Sequence, residues 1–326
     1  MSVPARYFGC VFVPLVLFIL TDYLFFHTGF SNPHLPDLTL NIVTKSTYAE
    51  TGSRYKFMAM TVLFVSIALL IVFAFLSELF ARHPEANGGF YYDTVTIRNA
   101  LLAFAAAVGI AIIYYLSTRE VRLHHFLGQN LFAEALNVCL SPGKDDDVCL
   151  FGSKDEASGG TSGVNVMQGL GAGSAILAVG AASLGAALSL GQSRQALCSP
   201  NRNHVFRLPR LFLYLTSVLF TIGMLAILAL MEFPKSVLAK DALSSYGHAV
   251  SGLSVYFGVS YSLAIAGFYG PVVLLLNGRI ARVTSETQSL SEPGESAFAA
   301  MQRQVEMVAA ILAPLATTLL TFVGEQ

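Results

Sequence analysis

From Val166 to Gly191 the chain reads VMQGLGAGSAILAVGAASLGAALSLG, about twenty-six residues without a charge, more than half of them Gly, Ala or Ser. In water this is a poor helix, because each Gly costs roughly 1 kcal/mol against Ala in a helix interior. In a bilayer the same stretch can cross a hydrocarbon core of about 30 Å, and its small side chains let other helices come close. Only 12% of the 326 residues are charged, half the value of about 25% usual in soluble proteins. Several more apolar runs near twenty residues long place the whole chain in the membrane class. The fold expected is an all-α polytopic transmembrane bundle of about six spans, with a further hydrophobic or amphipathic helix at the C-terminus.

The spans are expected at residues 7–26, 57–80, 98–116, 166–191, 211–231 and 246–276. They make a bundle over residues 1–276, with extramembrane loops at 27–56 and 117–165, a polar linker at 277–303 and the C-terminal helix at 304–326. The first run passes through Thr21, Asp22 and Tyr23 with no A-x-A-like site after it, so it reads as an uncleaved span rather than a signal peptide. The first loop has two prolines, Pro33 and Pro36, and weak strand character over 38–47. The long third loop begins with an amphipathic pattern at Leu123, Phe126, Leu127, Leu131 and Leu136 and ends in a flexible Gly/Ser stretch. Cys139 and Cys149 lie in that loop and can pair as a disulfide. Pro234 is expected to end the fifth span, and Gly270-Pro271 to bend an overlong sixth. In the last helix Val308, Ile311, Leu312, Leu315, Leu319 and Phe322 share one face. It can be a seventh span or lie in the interface, and the interfacial reading is the one taken.

Orientation rests on one short loop. Counting Lys and Arg on the two sides gives no difference, but residues 192–210 hold Arg194, Arg202, Arg207 and Arg210 with no acid. Short basic loops stay cytoplasmic. That puts the N-terminus inside and the Cys139–Cys149 loop outside, where a disulfide persists. The general style of short loops and Tyr/Phe belts suits a bacterial inner (plasma) membrane.

Two stripes are candidate functional surfaces. On the fourth span Ser174, Ala178, Ala182 and Ala186 form one row, with Gly169, Gly173 and Gly185 in a second row beside it. These are read as helix-packing residues, Gly169 and Gly173 making a literal GxxxG. On the sixth span Ser251, Ser254, Gly258, Ser260 and Tyr261 give a polar face that can line a substrate path. The plainer reading is that these hydroxyls bond to the preceding turn of their own helix. The fourth span is expected to pack against the sixth, since their small and hydroxyl residues match.

Asp22, Glu78, Arg98 and Glu232 fall near span ends, where charge is cheap, and none is placed at a midplane. The sequence has no H-E-x-x-H, G-x-S-x-G or Walker pattern and no zinc-like Cys/His spacing, so no metal, cofactor or catalytic set is expected. Basic residues are scattered, so no nucleic-acid partner is expected. The partners expected are the lipid bilayer and either a second copy or another membrane protein. The function class is a non-enzymatic channel, pore or transporter-like component. The alternative is a structural or assembly subunit recognising a partner through its loops. An enzyme acting on lipid-linked substrates comes third.

Overall fold

The computed structural model describes residues 3–27, 48–81, 91–118, 154–192, 197, 204–238, 240–287 and 297–324. Seven α-helices follow in order: α1 Phe12–His27, α2 Tyr48–Leu79, α3 Thr94–Thr118, α4 Lys154–Leu188, α5 Arg207–Val237, α6 Lys240–Thr287 and α7 Ala297–Gly324. A 3-10 helix, Ala5–Val11, leads into α1, and a short one, Ser189–Gly191, closes α4. Six of these helices are long and apolar enough to cross a membrane, and a shorter apolar stretch, Gln304–Thr318, lies in α7. The chain is an all-α membrane helix bundle, and its lipid-facing helices make it an integral membrane protein.

Helix boundaries differ from the sequence reading wherever packing extends a helix outward. Helix α4 starts at Lys154, so the Gly/Ser residues before Val166 are helical in backbone. Once the buried part of α4 has met the cost of nucleation, each added residue gains a hydrogen bond, and poor formers follow. Pro234 does not end α5. It lies inside the helix, which runs to Val237 before Leu238 turns extended. Helix α6 continues to Thr287 and α7 opens at Ala297, both within the stretch read as polar linker. Pro14 sits just after the junction of the 3-10 helix with α1.

Helix α2 shows how the bundle holds together. Phe57, Thr61, Phe64, Ala68, Ile71, Phe75 and Leu79 are buried, recurring at steps of four and three. Val62, Leu63, Leu69, Leu70 and Phe73 on the other face are exposed. Such a seam is the coiled-coil period. Lipid tails are as apolar as the seam, so burial there brings close packing rather than a gain from leaving water. The seam packs mainly on α5 and α4. Gly223 of α5 gives Phe64 its place: a Cβ there would stand 2.8 Å from the ring.

The central helix is α4, 67% of whose span window is buried, against 11% for α3. Its main neighbours are α2, α5 and α3; the contact with α6 is slight. The expected pairing of the fourth and sixth spans is therefore corrected. Small faces permit approach by any helix, and bulky residues decide which one comes: the Phe212 ring of α5 lies where a Cβ on Gly185 would be. Helix α6 instead packs on α7, α5 and α1. It meets α1 at Gly267, where a Cβ would lie 3.3 Å from Pro14 Cα.

Helix α7 runs along α6. The Tyr269 hydroxyl donates to the Met307 sulfur, and Gly258 abuts Leu315 and Thr318. Tyr269 to Gly258 and Met307 to Thr318 are equal steps in opposite directions, about 16 Å each at 1.5 Å per residue. The two helices are thus antiparallel over that length. Pro314 has no N–H for the Ala310 carbonyl, and the Ser217 hydroxyl of α5 donates to that carbonyl at 2.6 Å.

Candidate functional site

The upper and lower parts of α4 do different things. From Ala178 to Leu190 every side chain except the half-buried Val179 is buried, as are Gly180 and Gly185. Above that, the helix stands back from its neighbours, and its small side chains leave a chamber of about 250 Å³. Gly171, Ala172, Ala175 and Val179 are among the residues of the α4 wall. All five other spans contribute to the rest of the lining, which is partly open: Pro14 and Phe18 of α1, Phe57 and Phe64 of α2, Ala107 and Tyr114 of α3, Phe220 and Ile227 of α5, and Phe257 and Tyr261 of α6. Phe220 and Tyr261 stack face to face at 4.5 Å. Among the described residues, the lining contains no charged side chain.

The chamber's polar groups lie toward one end of the bundle, where α1, α3 and α5 finish and α2, α4 and α6 begin. Gln168 is in the wall there, and both atoms of its side-chain amide are buried without a hydrogen-bond partner among the described residues. Such groups are rare in folded proteins because each costs about 1–3 kcal/mol when left unpaired. Tyr114 turns its hydroxyl away toward Asp22, donating to Oδ2 at 2.6 Å. Tyr256 of α6 donates to Oδ1 at 3.4 Å. Asp22 is only 2% exposed. The sequence reading placed it near a span end and therefore at low cost. Its depth along α1 is as expected, but α3 and α6 close over it laterally. A buried carboxyl needs such donors, since hydrogen bonds to a charged group contribute about 1.5–3 kcal/mol each. The signal in the sequence is Tyr114 at the facing end of the third span.

Near the same end, α2, α5, α6 and α7 border a second, partly open cavity of about 240 Å³. Ser251, Ser254 and Thr318 line it, along with the exposed Lys56–Glu232 ion pair at 2.9 Å. That pair is solvent-screened and contributes at most about 1 kcal/mol.

The residues singled out from the sequence are spread over both regions. Of the sixth-span set, Tyr261 lines the chamber and Ser251 and Ser254 the second cavity. The Ser254 hydroxyl donates to Val250 one turn back at 2.8 Å, Gly258 receives α7, and Ser260 is buried. Of the fourth-span set, Ala178, Ala182, Gly185 and Ala186 lie in the packed part, and Ser174 donates to Gly171 at 2.9 Å. A Cβ on Gly169 or Gly173 would meet nothing within 4 Å. The GxxxG pair is thus not a helix contact among the described residues: that face of α4 meets open space, while Met167 on another face packs against its neighbours. Cys139 and Cys149 lie outside the described residues, as do the amphipathic pattern of the third loop and the strand-like stretch of the first.

At the opposite end Arg279 of α6 donates to the Leu190 and Gln192 carbonyls, capping the C-terminus of α4. Between α2 and α3, burial pushes the Tyr92 phenol well above its ordinary value, and the nearby Glu78 charge adds to this. Tyr92 therefore stays a neutral, packed ring, T-shaped against Tyr91.

Comparison of the chain with protein families, with curated proteins and with solved structures gave no match.

Proposed function

We propose that the chain is a transporter-like membrane component that takes an apolar molecule, or the apolar part of one, into the chamber between its six spans. The observation that carries this is the chamber itself, bounded by Phe, Ala, Gly and Val side chains and free of charge among the described residues. Apolar cavities of about 150 Å³ already hold benzene. An ion or a sugar would lose its hydration in this chamber and gain few partners in return. The reading thus narrows the channel, pore or transporter class to apolar cargo. Ala175→Phe would fill the chamber from the α4 wall. Proteoliposomes carrying the unaltered chain should exchange a fluorescent single-chain amphiphile between leaflets faster than empty ones, and the Ala175→Phe protein should not. Equal exchange by both proteins would defeat the proposal.

The position of the four-Arg loop supports a cytoplasmic N-terminus, which puts the Gln168 end of the chamber on the outer side of a plasma membrane. A Cys placed at Ser158 should then react with an impermeant thiol reagent in intact cells. Reaction only after lysis would reverse the orientation. The antiparallel run of α7 beside α6 supports α7 as a seventh element inserted in the bundle rather than a helix lying across the interface. The assembly-subunit reading has one observation in its favour, the thin packing of α3, whose Leu102, Ile113 and Leu116 are exposed. A partner retained through purification, and lost when Ile113 becomes Lys, would favour it.

A further inference from the structure

The proposed cargo can be narrowed from the polar end of the chamber; this step rests on the reading above. We propose that the chamber binds a single-chain amphiphile with an uncharged, hydrogen-bonding head of the monoacylglycerol type. In this arrangement the chain lies among Ala175, Phe220 and Tyr261 and the head lies on Gln168. Four features lead to this. The chamber lies among the helices that cross the membrane, at the depth where an apolar chain resides. Its volume of about 250 Å³ is less than twice that of a cavity filled by one benzene, which suits one chain and not two. Gln168 offers a donor and an acceptor, both buried and both without a partner among the described residues. A hydroxyl of a glycerol head satisfies the two together, since it donates and accepts. Finally, the only charged side chain that a lining residue is seen to hydrogen-bond, among the described residues, is a carboxyl. Tyr114, part of the lining, holds Asp22, and no Lys or Arg is in the described lining to pair with a carboxylate or phosphate. An anionic head would enter unpaired.

The sequence contains no Trp, so Phe57→Trp in the α2 wall gives a single fluorescent reporter. Three bromine-bearing quenchers of equal chain length are titrated into proteoliposomes of this protein: bromodecane, bromodecanoic acid at neutral pH, and the glycerol monoester of that acid. The monoester should quench at roughly ten-fold lower mole fraction than the acid, the ratio expected of one or two net hydrogen bonds. In a second protein that also carries Gln168→Leu, the monoester should fall to the level of bromodecane, while bromodecane itself is unchanged and reports an intact chamber. The three-probe comparison in the Phe57→Trp protein stands alone if the double variant does not fold. Equal quenching by all three probes, or strongest quenching by the acid, overturns the head-group assignment and leaves the apolar chamber standing. Equal monoester quenching with and without Gln168 also overturns it, meaning that the amide is satisfied by water only. Quenching by none of them removes both proposals.

Discussion

Replacing Gly185 with Ala puts a methyl group where the Phe212 ring lies, and that ring is fully buried. Neither helix can step back without losing contacts elsewhere, so overpacking should cost about 1–3 kcal/mol. Gly173→Ala is chemically the same change twelve residues earlier, in open space. It should be neutral, or stabilising by up to about 1 kcal/mol through helix propensity. Thermal unfolding midpoints of the two proteins in one detergent test the contrast, and equal losses would mean that α4 packs evenly along its length. Asp22 is the other residue whose surroundings decide its meaning. Tyr114→Phe removes the 2.6 Å bond and should cost about 1.5–3 kcal/mol. In an Asp22→Asn background the same change should cost only about 1 kcal/mol, because the acceptor is then neutral. A double-mutant cycle with no coupling would show that the Tyr114 hydroxyl does not serve Asp22.

At the level of elements, α7 is held by a bond that its own proline makes necessary. Ser217→Ala leaves the Ala310 carbonyl buried with no N–H from Pro314, at about 1–3 kcal/mol. Pro314→Ala restores that N–H, so adding it to Ser217→Ala should recover much of the loss. Protease sensitivity of the C-terminal helix measures both steps. Failure of the second change to rescue would mean that Ser217 acts through packing alone. Element type and number were legible in the sequence because span length and charge exclusion are properties of one helix at a time. Pairing was not. The small residues of Val166–Gly191 admit any neighbour, and the choice fell to bulky rings on other helices, Phe212 against Gly185 and Phe104 against Gly180. The ends of helices were misjudged for a related reason: Pro234 and the Gly/Ser residues after Lys154 are poor helix formers locally, and the packed helix beside them carries the backbone through.

For the whole molecule, the six spans surround a space rather than a seam. No single helix announces it. Gln168, Tyr114 and Tyr261 come from three spans and look unremarkable in each, and the hydroxyl stripe that drew attention on the sixth span is divided between two cavities and the α7 contact. The small residues of the fourth span remain the organising feature, close-packed below Ala178 and set back above it. The most direct measurement is to photolabel the reconstituted protein with a diazirine-bearing decane and locate the adducts by mass spectrometry. A chamber reached from the membrane predicts adducts at Ala175, Phe220 and Ile227, inside the bundle, and their loss in Ala175→Phe. Adducts confined to lipid-facing positions such as Leu102, Ile113 and Leu274 would contradict it.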